Sequence, residues 1–257
     1  MKFQTGIDAF DANTGGIYPG FILLVEETGA GGKEFALTSI MNLINTGGEG
    51  NCIYVSMTSS SDEVRREFKL TFPDSEEGWI DKVEVVSFSR EYFARTIIPV
   101  SWILEEKPTL ASLKTESLLE KLIDLFENVP ERSIVVLDSL TSLVRKTDIL
   151  GGDEIEWKDL MDLLLGVRKI VIKKDLLTYA LLTKDVVGRS REEEIFSTAD
   201  GIVIFEWMEE KESLKRTMYI KRLVGTLAML EKQRLAKFDI SIDPSIGLII
   251  SRFHRIV

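Results

Sequence analysis

One cysteine and one histidine in 257 residues leave little material for two kinds of chemistry. Cys52 has no second cysteine with which to close an internal disulfide, and His254 has no Cys, His or Asp neighbours at metal-ligand spacing. Zinc coordination and a Ser-His-Asp triad are therefore not expected, and no metal ligands are assigned. Only six prolines are present and no Gly/Ser/Pro-rich linker interrupts the chain, so residues 1–257 are expected to form one domain. The longest uninterrupted apolar run is Phe21 to Val25, against the roughly 20 residues of a membrane-spanning helix, and the first residues hold no signal-peptide pattern. A soluble, cytoplasmic protein without membrane association is the expectation. Glutamine occurs only at Gln4 and Gln233 while Glu and Lys are plentiful, a thermophile-like bias towards charge networks.

What is present is acidic and strongly patterned. A net charge of −10 repels nucleic acid and anionic lipid. Apolar, β-rich runs recur at Phe21 to Glu26, Asn51 to Met57, Val83 to Phe88, Ser133 to Asp138 and Leu177 to Lys184, with helical periodicity between them. That alternation predicts an α/β fold, a mainly parallel sheet with helices on both faces. Helices are predicted over Thr115 to Glu127, with Leu118, Leu119, Leu122, Ile123 and Phe126 on one stripe, over Trp157 to Lys174, and from Ser60 to about Leu70, where Ser60 and Glu63 have capping-box spacing. Beyond residue 201, Ile202 to Trp207, Met218 to Leu223, Ala236 to Ile242 and Ile246 to Ser251 predict an antiparallel extension, linked by polar connections such as Glu209 to Glu212. Residues 88–112 show no sustained period and read as loop or short insertion, and Ser197 to Ala199 reads as a turn.

The first strand runs into Glu27-Thr28-Gly29-Ala30-Gly31-Gly32-Lys33-Glu34 and then the helical run Phe35 to Asn45. Strand, glycine-rich turn, lysine and helix make the context of a phosphate-binding loop, in which backbone N–H groups and the helix N-terminus hold phosphates, the lysine neutralises them and a Ser or Thr hydroxyl holds magnesium. The pattern G-x-x-x-x-G-K-[ST] fails at both ends, with Glu27 for the first glycine and Glu34 for the hydroxyl residue. Taken alone, the segment is equally a bland glycine-rich turn. A companion is the buried strand ending at Asp138, as a Walker B strand does, although a strand-end aspartate also serves as a plain helix cap.

The motifs Gly6-Ile7-Asp8-Ala9-Phe10-Asp11, Thr14-Gly15-Gly16-Ile17-Tyr18-Pro19-Gly20, Tyr54-Val55-Ser56, Leu137-Asp138-Ser139-Leu140-Thr141-Ser142-Leu143, Thr198-Ala199-Asp200-Gly201 and Gly225-Thr226 together resemble the KaiC-like branch of the RecA/RadA ATPase superfamily. The resemblance spans nearly the whole chain. It implies a RecA-like core with the Walker B strand flanking the phosphate-loop strand, ATP and magnesium as ligands, and self-assembly around nucleotides held between subunits. It would place the nucleotide on Thr28, Gly29, Ala30, Gly31, Gly32, Lys33, Glu34 and Asp138.

Departures from the family pattern shape the functional expectation. Where the family carries glutamates that activate the attacking water, this chain has Thr58 and Ser59, neither able to act as a carboxylate base. The family's Lys-Met-Arg-Gly-Thr segment, directed at a neighbour's nucleotide, reads Arg222-Leu223-Val224-Gly225-Thr226; Arg222 keeps the first charge as a subunit-interface candidate and Val224 loses the second. Losing such an arginine costs about 10³ to 10⁵ in rate. A carboxylate at Glu34 facing phosphate at about 4 Å would cost about 4 kcal/mol, roughly three decades of affinity. Glu27 brings a side chain to a position where glycine supplies backbone freedom. Lys33, at a helix start, needs a counter-charge, for which Asp138, Glu27 and Glu34 are the candidates.

The expectation is a catalytically inactive or strongly impaired ATPase homologue acting as a protein-interaction or regulatory module, with a protein or peptide partner or further copies of itself. One alternative is an active ATPase of the same fold, using Lys33 and Asp138 with an atypical metal site. Another is a RadA-paralogue-type DNA-associated protein using Lys184 to Arg191, with Arg189 and Arg191 as contacts; the adjoining Glu192, Glu193 and Glu194 favour a solvated charge cluster instead. Tyr92, Phe93 and Trp102 are read either as a docking surface or as local core.

Overall fold

The computed structural model describes residues 1–103, 117–152, 154–210, 213–227, 232 and 235–255. Its centre is one nine-stranded sheet formed by β1 (Gly20–Glu26), β2 (Cys52–Ser56), β3 (Val83–Ser87), β4 (Ile134–Asp138), β5 (Leu177–Thr183), β6 (Gly201–Glu210), β7 (Ser213–Leu223), β8 (Leu235–Asp243) and β9 (Gly247–Arg255). The spatial order is β3-β2-β4-β5-β1-β6-β7-β8-β9. Strands β3 to β6 in that order pair in parallel, and the remaining three add antiparallel.

Period-two alternation sends each parallel strand's side chains into two separate cores. Ile22 and Leu24 of β1, Tyr54, Val136 and Tyr179 face one layer, which holds α1 (Asp8–Thr14), α2 (Gly32–Asn45) and α3 (Ser61–Thr71). Phe21, Leu23 and Val25, with Ile53, Val55, Val135, Leu137 and Ala180, face the other, where α5 (Leu118–Asn128), α6 (Leu140–Arg145), α7 (Trp157–Lys173) and α8 (Arg189–Ser197) pack. Because both faces are covered, the strands read as unbroken apolar runs. Phe35 of α2 is fully buried and meets Phe10, Tyr179 and Phe205 at centroid distances of 5.7–5.9 Å, anchoring the helix behind the phosphate loop. Burying a ring of this kind stabilises the fold by about 1.5–3 kcal/mol.

One topological expectation is corrected. The strand ending at Asp138 does not flank β1, because β5 lies between them and pairs with both, Ala180 opposite Leu23 on one side and Leu137 on the other. Strand β5, buried from Leu177 to Leu182, takes β1 on one edge and β4 on the other. Glu26, Ser56, Asp138 and Thr183 nevertheless end their parallel strands at the same end of the sheet, where crevices of open α/β sheets form.

Other differences are local. Ser89–Phe93 is a short helix, α4, followed by a 3₁₀ turn at Val100–Trp102; five residues are too few to show a period, and residues 104–112 lie outside those described. Tyr92 packs against the core and edge-to-face on Phe93, whereas Trp102 is 77% exposed. Ser197 closes α8, and the turn expected over Ser197 to Ala199 is present, with the Thr198 and Ala199 N–H groups donating to the Ile195 and Phe196 carbonyls. Strand β6 runs on through Glu209 and Glu210, paired with Leu214 and Ser213, since charged residues on a solvated ribbon mimic a loop; residues 211 and 212 lie outside those described. At α5, Ser117 and Glu120 form a capping box, while Thr115 and Glu116 lie outside the described residues. The box expected at Ser60 and Glu63 is present.

Candidate functional site

The turn between β1 and α2 is held from outside by the antiparallel strands. Trp207 Nε1 donates to the Thr28 carbonyl at 3.1 Å and Arg216 Nε to the Gly29 carbonyl at 2.9 Å, with the guanidinium 4.5 Å above the indole. Gly29 and Gly31 take the left-handed conformations the turn requires, at φ of 76° and 120°. Glu27 is not among the positive-φ residues, so its replacement of glycine does not strain the backbone. Its carboxylate points away from the loop, accepting the Trp207 main-chain N–H at 2.9 Å and pairing with Lys184 at 2.9 Å; both contacts hold the carboxyl below its usual range. Lys184 also pairs with Glu206 at 2.8 Å, and its bonds to Glu206 and Glu27 raise its proton affinity.

Lys33, in the first turn of α2, reaches across β5 to the end of β4. Its Nζ lies 2.8 Å from Asp138 Oδ2 and 2.8 Å from Glu67 Oε1 on α3. Burial works against the ammonium, but attraction to Asp138 and Glu67 outweighs it and lifts its pKa, so Lys33 is a fixed cation. Of the three counter-charges expected for it, Asp138 is in place. Glu27 is turned to Lys184, and the Glu34 side chain makes no hydrogen bond or ion pair among the described residues. Tyr54, fully buried against Phe68, donates its hydroxyl to Asp138 Oδ2 at 2.6 Å and orients that carboxylate. Burial, then the Asp138 charge, pushes the phenol pKa well up, which keeps the proton on tyrosine.

Glu26 completes the site. From the last position of β1 its Oε2 accepts the Gly32 N–H at 2.8 Å, at the start of α2 where a phosphate loop presents its donors. Burial and then the neighbouring charge of Glu34 raise this carboxyl's pKa against the lowering effect of the Gly32 bond. One ammonium thus stands among Glu26, Glu34, Glu67 and Asp138, a formal charge of −3. In this arrangement the lysine is paired and the Gly32 main-chain donor is taken. Among the described residues no group of three or more His, Cys, Asp or Glu is placed to hold a metal ion.

Sequence reasoning missed Glu26, Glu67 and Tyr54. The available signals were an acid closing a buried strand just before a glycine turn, an acid one turn beyond the capping box of α3, and a hydroxyl two residues from the end of β2, whose neighbour β4 carries Asp138. Other candidates lie apart. Thr58 is exposed, and at Ser59 the main-chain N–H donates to Ser56 Oγ while the carbonyl accepts from Ser87 Oγ. Arg222 is half-buried on β7 opposite Ile202, and Val224 is exposed where β7 leaves the sheet beside Asp200, at the end opposite Lys33. Arg191 pairs with Glu194 at 2.8 Å and covers the Trp157 ring, and Lys184 is committed to Glu27 and Glu206, which removes two cations from the proposed DNA contact. Cys52 is buried and its thiol is pushed up to about 12 by burial.

Comparison with known proteins identifies the fold and the family. A KaiC-like protein from the hyperthermophilic archaeon Pyrococcus horikoshii shares the fold at a TM-score of 0.65 and 20% identity, over 98% of this chain and 99% of that one. The flagellar accessory protein FlaH from Methanocaldococcus jannaschii does so at 0.66 and 15% identity, over 98% of each chain. No curated protein matches significantly. No helix among the described residues is long and apolar enough to cross a membrane. The family model "ATPase: KaiC" matches residues 3–242, and the chain therefore belongs to the KaiC family of ATPase domains.

Proposed function

We propose that this KaiC-family chain has a closed, catalytically inactive or strongly impaired nucleotide site and acts as a protein-interaction or regulatory module, through a protein partner or through copies of itself. The observation that carries the reading is the double ion pair of Lys33 with Asp138 and Glu67. The cation a phosphate loop offers to the nucleotide is already neutralised, in a cluster whose net charge repels phosphate. Thr58 and Ser59 supply no carboxylate base, and Val224 supplies no charge to a neighbouring subunit. The overall charge of −10 and the pairing of Lys184 and Arg191 argue against a nucleic-acid partner.

Phosphate release from ATP, measured for the full chain beside Lys33→Ala, tests the reading. The two rates should be indistinguishable. Hydrolysis by the wild-type chain that disappears in Lys33→Ala would establish instead an ATPase with an atypical metal site. That second reading has in its favour the placement of Lys33 and Asp138 at one site.

A further inference from the structure

Five acidic side chains surround the phosphate loop, and they do different things. Glu27 is turned outward to Lys184 and the Trp207 N–H. Asp138 and Glu67 hold the Lys33 ammonium. Glu34 makes no side-chain hydrogen bond or ion pair among the described residues, although its charge acts on Glu26. Glu26 alone puts a carboxylate oxygen on a main-chain donor of the loop, the Gly32 N–H. The contact is close against the backbone: a Cβ added to Gly32 would stand 3.0 Å from Glu26 Oε2. Opening donors of a helix have no intrahelical partner and carry partial positive charge, so an anion is the group they accept best.

We propose that Glu26 is an internal anion that shuts the phosphate loop, an autoinhibitory contact in which its carboxylate takes the place of an incoming phosphate oxygen. Glu26, and not the sequence departure at Glu34, then decides whether a polyphosphate enters. This rests on the reading of the loop as a closed phosphate site. The loop's shape does not depend on the carboxylate, since Trp207 and Arg216 hold the Thr28 and Gly29 carbonyls from β6 and β7. Removing Glu26 therefore leaves the turn in place with the Gly32 donor free, beside a Lys33 still paired with Asp138 and Glu67.

The test is calorimetric titration of inorganic tripolyphosphate, without metal, into the wild-type chain, Glu26→Ala, Glu26→Gln and Glu34→Thr, with folding checked by circular dichroism. Removing one unit charge at contact distance is worth up to about three decades of affinity, so Glu26→Ala should bind at least about a hundredfold more tightly than wild type. Adding Lys33→Met should abolish the gain, and Glu34→Thr alone should not produce it. If Glu26→Ala does not fold, Glu26→Gln carries the test, keeping the shape without the charge, with an expected gain of about tenfold. The proposal is overturned if the neutral Glu26 variants bind no more tightly than wild type, or if Glu34→Thr by itself gives the gain. Tight binding by the wild-type chain would instead refute the closed site on which the proposal rests.

Discussion

Replacing Lys33 with methionine keeps most of the side chain's apolar length and removes only the charge that joins α2 to β4 and α3. Lys33 and Asp138 are each 22% exposed and Glu67 is 44% exposed, which places the cluster between two regimes. Exposed pairs contribute about 0–1 kcal/mol, whereas breaking a fully buried pair from one side costs about 3–5 kcal/mol. Screening at Glu67 lowers its share, so a loss of about 2 kcal/mol is expected. For a chain of this size that corresponds to a fall of about 4–8 °C in Tm. The pH dependence has a definite sign. Lys33's proton affinity is raised in the folded state, so its contribution is fully present below the ordinary ammonium pKa of 10.5 and is lost only as pH rises through the higher folded value. The deficit of Lys33→Met should therefore be constant from about pH 6 to 9. Urea denaturation of Lys33→Met, Asp138→Asn and the double variant would isolate the pair, with an expected coupling of about 1–2 kcal/mol. Unchanged stability in Lys33→Met, with additive effects in the double variant, would refute the ion-pair argument.

Tyr54→Phe removes the hydroxyl bonded to Asp138 and should cost about 1.5–3 kcal/mol by urea denaturation, with little effect if Asp138 is oriented by Lys33 alone. Glu26, with its proton affinity raised by burial, is easier to accommodate protonated. Stability should therefore decline as pH rises from the ordinary carboxyl value of 4.5 through the folded value, and Glu26→Gln should flatten that decline, read from Tm against pH; a parallel decline in both proteins would count against it. Cys52, buried with a thiol pushed up to about 12, should resist iodoacetamide at pH 8 in the folded chain and react once unfolded in urea; rapid labelling of the native protein would contradict its placement.

The parallel half of the sheet was legible because burial on both faces leaves nearly unbroken apolar runs, and each of the five expected strands appears within one or two residues of its bounds. Capping chemistry at Ser60 and Glu63 was equally readable, being confined to four residues. Strand order was not, because apolar composition states that β5 is central without stating which strands it separates. Lys33 and Asp138 were singled out from the sequence and stand together in space, but their partners Glu67 and Tyr54, and Glu26 on the Gly32 N–H, come from three other elements. Each looks ordinary locally, as a helix-surface acid, a core tyrosine and a strand-end acid. What sets them apart is the register that brings the ends of β1, β2 and β4 to one end of the sheet.

The site's closure is tested most directly by calorimetric titration of the wild-type chain with ATP and with ADP, each with and without magnesium. With Lys33 already paired and the Gly32 donor occupied, none of the four titrations should give saturable heat. An isotherm saturating at one nucleotide per chain, and lost on Lys33→Ala, would contradict it.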